Sequence, residues 1–463
     1  MIKCPSCGAE MKFDPGLQKV KCDYCDSVFD VKELRKEAKK AKESKNVAGI
    51  EGTSYICSQC GAELLTFDET AITFCSYCGS QAMLESKMVK INNPDYVIPF
   101  KKTKEECINN YKRLLSRALF APSYMKSDVV VSKFRGIYMP YCIYKLSFNG
   151  ISTNKGSKRK GRVGDYVYYN DYKIDANVNA SYNGLSFDLL SKFYDYFSLA
   201  IPFDFTKVEE FNKNYLIGYY ADSKDVSDSV YSNIAKSIAD SDSYRFLKKR
   251  KEYAKYGCTN PTVSFSVSDK KIGMFPVYFL AIRDKSNKYI NYAVVNGQTG
   301  KVVADLPIDF KKYLIGSLLL AVIIFCLINN MFTITPFGVI IFSIVTSIIS
   351  IIISASNLSK LHIHESHLDD KGFISVKDNK SKVKDKMSFG EKFLKYYFRQ
   401  IIAIVISLVP VILHLVDDMY YYIAAIISII LIISTFSSLV RAHNLLVSNR
   451  IPQVEKRGGD ESE

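Results

Sequence analysis

The sequence predicts a multidomain chain: two small β zinc ribbons, an α+β soluble domain, and an all-α membrane domain of four transmembrane helices. Three observations predict it. Eight of the 12 cysteines fall into two equal frames, residues 91–312 alternate helical and strand patterns, and residues 313–440 hold four long apolar runs without internal charges. The expected units are ribbon 1 (1–31), a basic helical linker (32–52), ribbon 2 (53–90), a basic α+β domain (91–312), the membrane domain (313–441) with a loop at 355–399, and a tail (442–463).

The first frame is Cys4-x2-Cys7-x14-Cys22-x2-Cys25 and the second Cys57-x2-Cys60-x14-Cys75-x2-Cys78, displaced by 53 residues. Paired CxxC turns present backbone amides to sulfur, and in three of the four a glycine follows the second cysteine, where φ > 0 costs nothing. Four thiolates satisfy a tetrahedral zinc ion, so two structural Zn2+ are expected, with rubredoxin-like iron the competing metal. A disulfide framework would need an oxidising compartment, and no signal peptide is evident ahead of Cys4.

Charge bears on what such ribbons contact. Residues 1–90 hold thirteen Lys/Arg and thirteen Asp/Glu, and no Lys or Arg lies between Gly52 and Ser86. Each Zn(Cys)4 centre would add two negative charges, whereas a nucleic-acid surface needs cations to displace counterions from phosphate. Protein partners are therefore expected ahead of nucleic acid. The segment Lys32–Lys45, with seven basic and three acidic residues and no apolar stripe, reads as a solvated helical spacer, a phosphate-binding arm being the alternative.

In the α+β segment, Thr103-x-x-Glu106 is a capping box ahead of Cys107, Ile108, Tyr111, Leu114, Leu115, Ala118 and Leu119 at helical spacing, which makes Cys107 a core residue. Val129 to Tyr144 reads as strands, 225–256 as helical, Thr262–Ser268 as a strand, and Pro276–Ile282 with Tyr289–Val295 as a hairpin. The Pro140 and Pro276 segments form a candidate internal repeat. Thirty-five Lys/Arg stand against twenty-two Asp/Glu here, and the densest cluster, Lys155, Lys158, Arg159, Lys160 and Arg162, reads as a flexible loop. Anionic lipid headgroups are its expected contact, with nucleic acid a further candidate.

The apolar runs are Tyr313–Ile334, Phe337–Ser354, Ile401–Val416 and Tyr420–Val440. Their length suits a bilayer, and Lys/Arg concentrate before the first, between the second and third, and after the fourth. That pattern predicts a multi-pass inner-membrane (cytoplasmic membrane) protein with N- and C-termini cytoplasmic. Within this part, Pro410 is expected to kink the third run. His414 with Asp417 and Asp418 reads as a solvated corner, and His362, His364 and His367 as a solvated loop, with metal or proton binding the weaker reading for both.

No catalytic constellation emerges, and the chain is not expected to be an enzyme. Gly297-Gln-Thr-Gly300-Lys301 lacks the spacing and the Ser/Thr of a phosphate-binding loop and reads as a turn. Cys142, Cys258 and Cys326 have no histidine nearby in sequence to act as base, because all five histidines follow residue 361.

The CPSCG and CSYCGS knuckles, VIPFKKTKEEC, GIYMPYCIY, IGYYAD and NGQTGKVVADLPI together resemble bacterial multi-span membrane proteins with N-terminal transcription factor IIB-type zinc ribbons. The resemblance covers most of residues 1–310. It implies zinc, membrane attachment and a role in envelope-stress or membrane-associated complexes, and brings no catalytic residues. One departure is Cys142, where relatives tend to carry Trp; this chain has none. The function expected from all of this is a membrane-anchored zinc-ribbon adaptor that docks cytoplasmic or membrane proteins. The alternative is a tethered regulator touching nucleic acid or the transcription machinery through the ribbons.

Overall fold

Two apolar stretches, Ile137–Tyr144 and Met274–Ile282, are almost wholly buried on both faces, as central strands covered from two sides must be. The chain is organised around them. The structure, a computed structural model, describes residues 3–34, 50–67, 72, 74–81, 83–247, 250–259, 261–283, 290–315, 319, 335–365, 397–415 and 417–448.

Strands β1 (Met11–Asp14), β2 (Lys19–Cys22) and β3 (Val28–Phe29) form a small antiparallel sheet, the first ribbon. Strands β4 (Ile50–Cys57), β5 (Glu63–Thr66) and β6 (Met83–Ile91) form the second. They are followed by β7 (Tyr96–Val97), helix α1 (Lys104–Arg117), the long strands β8 (Arg135–Val163) and β9 (Tyr166–Asp188), and helix α2 (Asp195–Ala200). Next come β10 (Glu209–Glu210), β11 (Tyr220–Asp222), helix α3 (Ser232–Leu247), β12 (Ser266–Arg283), β13 (Ile290–Asn296) and β14 (Val302–Ala304).

The second ribbon belongs to the main sheet. Its path of neighbours runs β10-β7-β12-β8-β11-β5-β4-β6, with β9 beside β8 and β13–β14 beside β12, 11 strands in all. The joint is β11, which pairs parallel to β8 (Ala221 with Tyr138) and antiparallel to β5 (Ala221 with Leu65).

One face of the sheet packs Tyr138, Met274 and Tyr278 against Cys107, Tyr111 and Leu115 of α1. The capping box forms at the start of α1, Glu106 N–H donating to Thr103 Oγ1 (3.2 Å) and Thr103 N–H to Glu106 Oε2 (2.9 Å). The other face packs Ile137, Met139, Phe275 and Phe279 against Phe193, Phe197 and Phe203. Cys107 is fully buried, and burial pushes its thiol up to about 12, as befits a core residue. Val129–Val131 departs from the expected strand: it lies in a helical turn, Asp128–Val131, whose Asp128 pairs with Lys112 at 2.8 Å.

The expectation of four transmembrane helices, and with it the fold class ending in a membrane domain, is corrected. Among the described residues no helix is long and apolar enough to cross a membrane, and the largest assembly is the 11-stranded sheet. The inner-membrane, multi-pass placement with cytoplasmic termini rested on the same runs and loses its support. Most of Tyr313–Ile334 lies outside the described residues. The third run forms α5 (Phe398–Ile412), 15 residues and about 22 Å long at 1.5 Å per residue, short of a hydrocarbon core of about 30 Å.

Runs two and four fall in α4 (Pro336–Glu365) and α6 (Asp418–Ser448). A polar seam joins the three helices. Ser407 lies between Ser343 and Ser428, 2.9 Å from each hydroxyl, and all three are buried. The apolarity that suggested lipid is spent in part on this helix–helix contact. Large apolar side chains such as Ile348, Ile352, Ile412 and Ile426 remain on the outside.

Candidate metal centres

Each CxxC turn is built alike. The amide four residues after the first cysteine donates to its carbonyl: Gly8 to Cys4 (2.8 Å), Asp26 to Cys22 (3.0 Å), Gly61 to Cys57 (2.8 Å) and Gly79 to Cys75 (2.9 Å). The amide of each first cysteine donates in return to the carbonyl five residues on. Such a turn needs positive φ at its fourth amide. Gly8, Gly61 and Gly79 supply it at 68 to 74°, and Asp26 adopts it at 55° without glycine's freedom.

The turns converge. Cys4, Cys7, Cys22 and Cys25 form one group and Cys57, Cys60, Cys75 and Cys78 another, with the four sulfurs of each group within 4.8 Å of one another. Cross pairs Cys4–Cys25, Cys7–Cys22, Cys57–Cys78 and Cys60–Cys75 each stand at 3.6 Å between Sγ atoms. A metal–sulfur bond of about 2.3 Å in a tetrahedron sets that edge near 3.8 Å, whereas a disulfide would need about 2.05 Å. Both groups could therefore hold a metal ion, as two four-thiolate sites.

The two sites differ in enclosure. Cys7 is exposed and Cys25 half-buried, but Cys57, Cys75 and Cys78 are all buried. Burial pushes the Cys60 thiol up to about 11. The Ser27 hydroxyl beside Cys25, 3.2 Å from its sulfur, draws that thiol down to about 6.

What fastens these centres was not visible in the sequence. Ribbon 2 is latched by Tyr77, whose hydroxyl donates to Asp222 Oδ2, and by Ser223, whose hydroxyl donates to Glu63 Oε2 (3.2 Å). Arg283 donates from Nε to Cys78 O (2.7 Å) and from Nη2 to Gln59 Oε1 (3.2 Å), and Lys192 donates to Cys60 O. Burial raises Asp222 to about 8. Ribbon 1 is held by Gln18 Nε2 to Phe100 O (2.7 Å), Phe13 N–H to Ile217 O (3.2 Å), and the Asn212 and Asn214 amides to Val31 O (3.2 and 3.3 Å).

The motif Ile217-Gly-Tyr-Tyr-Ala-Asp222 thus touches both ribbons. Ile217 takes the Phe13 amide, Tyr219 stacks on Phe100 at 4.2 Å, and Tyr220–Asp222 is β11 itself. Asn296-Gly-Gln-Thr-Gly-Lys301 is a turn: Asn296 Oδ1 accepts from Gln298 and Thr299 N–H (2.8 and 2.9 Å), and Gly300 N–H donates to Asn296 O (2.8 Å).

Other candidate residues lie apart from the metal groups. His362 and His364 fall near the end of α4, whose side chains there are not described, and His367, Cys326 and most of Lys32–Lys45 lie outside the described residues. Asp417 caps α6, its carboxylate accepting from Met419 N–H at 3.0 Å, and His414 occupies the turn before it. Cys142 is buried, and its thiol is pushed up to about 11. Lys155–Arg162 is not a loop but part of β8.

In comparisons with known proteins, the chain is similar to "Uncharacterized protein YdjG" of Bacillus subtilis (strain 168), 28% identical over 325 residues, covering 67% of this chain and 91% of that protein. No family model matches the chain. No solved structure matches it.

Proposed function

We propose that the chain is an adaptor in which two structural zinc centres fix the shape of protein-docking surfaces, ribbon 1 being the docking module. The observation that carries this reading is the exposure of apolar side chains on a ribbon whose own core is closed: Tyr24, between the two cysteines of its turn, is 82% exposed, with Leu17 and Val28 also exposed. An aromatic held out on a metal-fixed turn is low in entropy cost and suits a protein contact. Zinc is the metal of choice because four thiolates complete its tetrahedron, leaving no position for substrate or activated water. Residues 1–31 carry four Lys and five Asp/Glu, a net of −1 before two thiolate-derived negative charges, which favours a protein partner over phosphate.

The test is site-specific photo-crosslinking from position 24 in the intact chain in its own cells, read by mass spectrometry, with metal analysis of the purified protein. Defined protein adducts, lost when Cys4→Ser disorders the ribbon, are expected. Adducts to nucleic acid, or none, would overturn the reading. Two equivalents of zinc per chain are expected, and iron in their place would displace the metal assignment.

A further inference from the structure

Strands β8 and β9 continue as a two-stranded ribbon well past the body of the fold. Its last support is a short segment, Tyr253–Cys258, which packs on Ile174 and sets the Tyr256 ring 5.1 Å from that of Tyr172. Beyond it the rungs are Lys158–Asn170, Arg159–Tyr169, Gly161–Tyr168, Arg162–Val167 and Val163–Tyr166, with Lys160 bulged out at a register shift. Tyr166 is 76% exposed, and Val163, Val167, Tyr168 and Tyr169 are exposed too.

Successive rungs point to opposite faces. One face carries Val163, Tyr166, Tyr168 and Lys158, and the other Arg162, Val167, Arg159 and Tyr169. Rings, valines and cations therefore surround the ribbon on both sides, the apolar groups crowding its end. The acid of the turn, Asp165, is paired with Arg162 at 3.4 Å. Among the described residues, no carboxylate pairs with Lys158, Arg159 or Lys160.

We propose that this hairpin tip docks end-on into an anionic lipid surface, seating its tyrosines and valines at the headgroup boundary under a collar of cations. The charge is complementary, and anionic lipid attracts each nearby Lys or Arg. The end of the ribbon, four residue steps from Arg159 to Val163, measures about 13 Å at 3.3 Å per residue, enough for its outermost rings and valines to reach the roughly 5–10 Å depth to which apolar groups sink at an interface while Arg159 stays at the surface. Tyrosine suits that boundary because its ring is apolar and its hydroxyl wet. Rings and cations occur on both faces, so a nucleic acid laid along one face would leave the other face's rings and cations unused, whereas end-on contact with a lipid surface engages both. The proposal does not depend on the ribbons.

The chain has no tryptophan, so Tyr168→Trp places a single reporter at the tip of the full-length protein. Its emission is expected to shift to the blue with phosphatidylcholine vesicles containing phosphatidylglycerol, and to stay unchanged with phosphatidylcholine alone. Adding Lys158→Gln, Arg159→Gln and Lys160→Gln should weaken partitioning about a hundredfold. An equal shift with neutral vesicles, no shift with either, or a response to an oligonucleotide without one to anionic vesicles would overturn it. All three changes are on exposed ribbon, and unaltered circular dichroism would separate lost binding from lost folding.

Discussion

At the scale of single residues, the four cysteine turns compare glycine with aspartate in one backbone geometry. Asp26 holds φ at 55° where its counterparts are glycine, and its pair with Lys21 (2.8 Å) is solvent-exposed and contributes little. Asp26→Gly is expected to stabilise ribbon 1 by about 0.5–1 kcal/mol, seen as slower metal loss to a chelator. Asp222 makes a pH prediction. Its folded value of about 8 lies above the unfolded value of about 3.9, so the folded state keeps a proton that the unfolded state has lost. The contribution is fully present below pH ~4 and lost as pH rises through 8. Denaturant midpoints of the metal-saturated protein should fall between pH 6 and pH 8, and Asp222→Asn should flatten that slope. The cysteine sites were legible at this scale because ligand spacing is local. Tyr77, Asp222, Glu63 and Arg283 were not, since their partners lie 145 to 205 residues apart in the sequence.

At the scale of elements, legibility followed burial. Helix α1 announced itself by its capping box and apolar face, and the β12–β13 hairpin by its valines and aromatics. The outer part of β8–β9 did not, because both faces meet solvent and no alternation of polar and apolar residues survives there. Its rigidity depends on a close crossing. A Cβ on Gly156 would lie 2.2 Å from Tyr256 O, and one on Gly257 2.2 Å from Ser157 O. Gly156→Ala should therefore push the 253–258 segment away, costing about 1–3 kcal/mol and raising hydrogen exchange along 156–172. Unchanged exchange there would show that the crossing does not brace the hairpin. The apolar runs after residue 312 misled for a related reason: hydropathy counts side chains and does not see the buried serine seam between helices.

At the scale of the whole molecule, the ribbons have unequal standing. Ribbon 1 is a separate three-stranded sheet, whereas ribbon 2 is one end of the 11-stranded sheet. Metal binding and folding are one equilibrium at such sites. Both variants, Cys57→Ser and Cys4→Ser, are therefore expected to lower the thermal midpoint of the β body, Cys57→Ser by more, because ribbon 2 is continuous with the sheet whereas ribbon 1 joins the body only through side-chain packing and a few hydrogen bonds. Differential scanning calorimetry with metal analysis distinguishes the two, and equal midpoints would contradict a continuous sheet. Exposed Cys7 also predicts that a chelator empties ribbon 1 first.

The position of β11 sets an order of events during synthesis. Leu65 must wait for Ala221, and Cys78 for Arg283, before their hydrogen bonds can form. At about 5–20 residues per second the second metal site spends roughly ten seconds or more outside the ribosome with its edge strand bare. Ribbon 1 waits as well, for Ile217. The ribbon cysteines are thus made well before the segments that enclose them, and metal captured early on the nascent chain would keep their thiols from oxidation until the rest arrives.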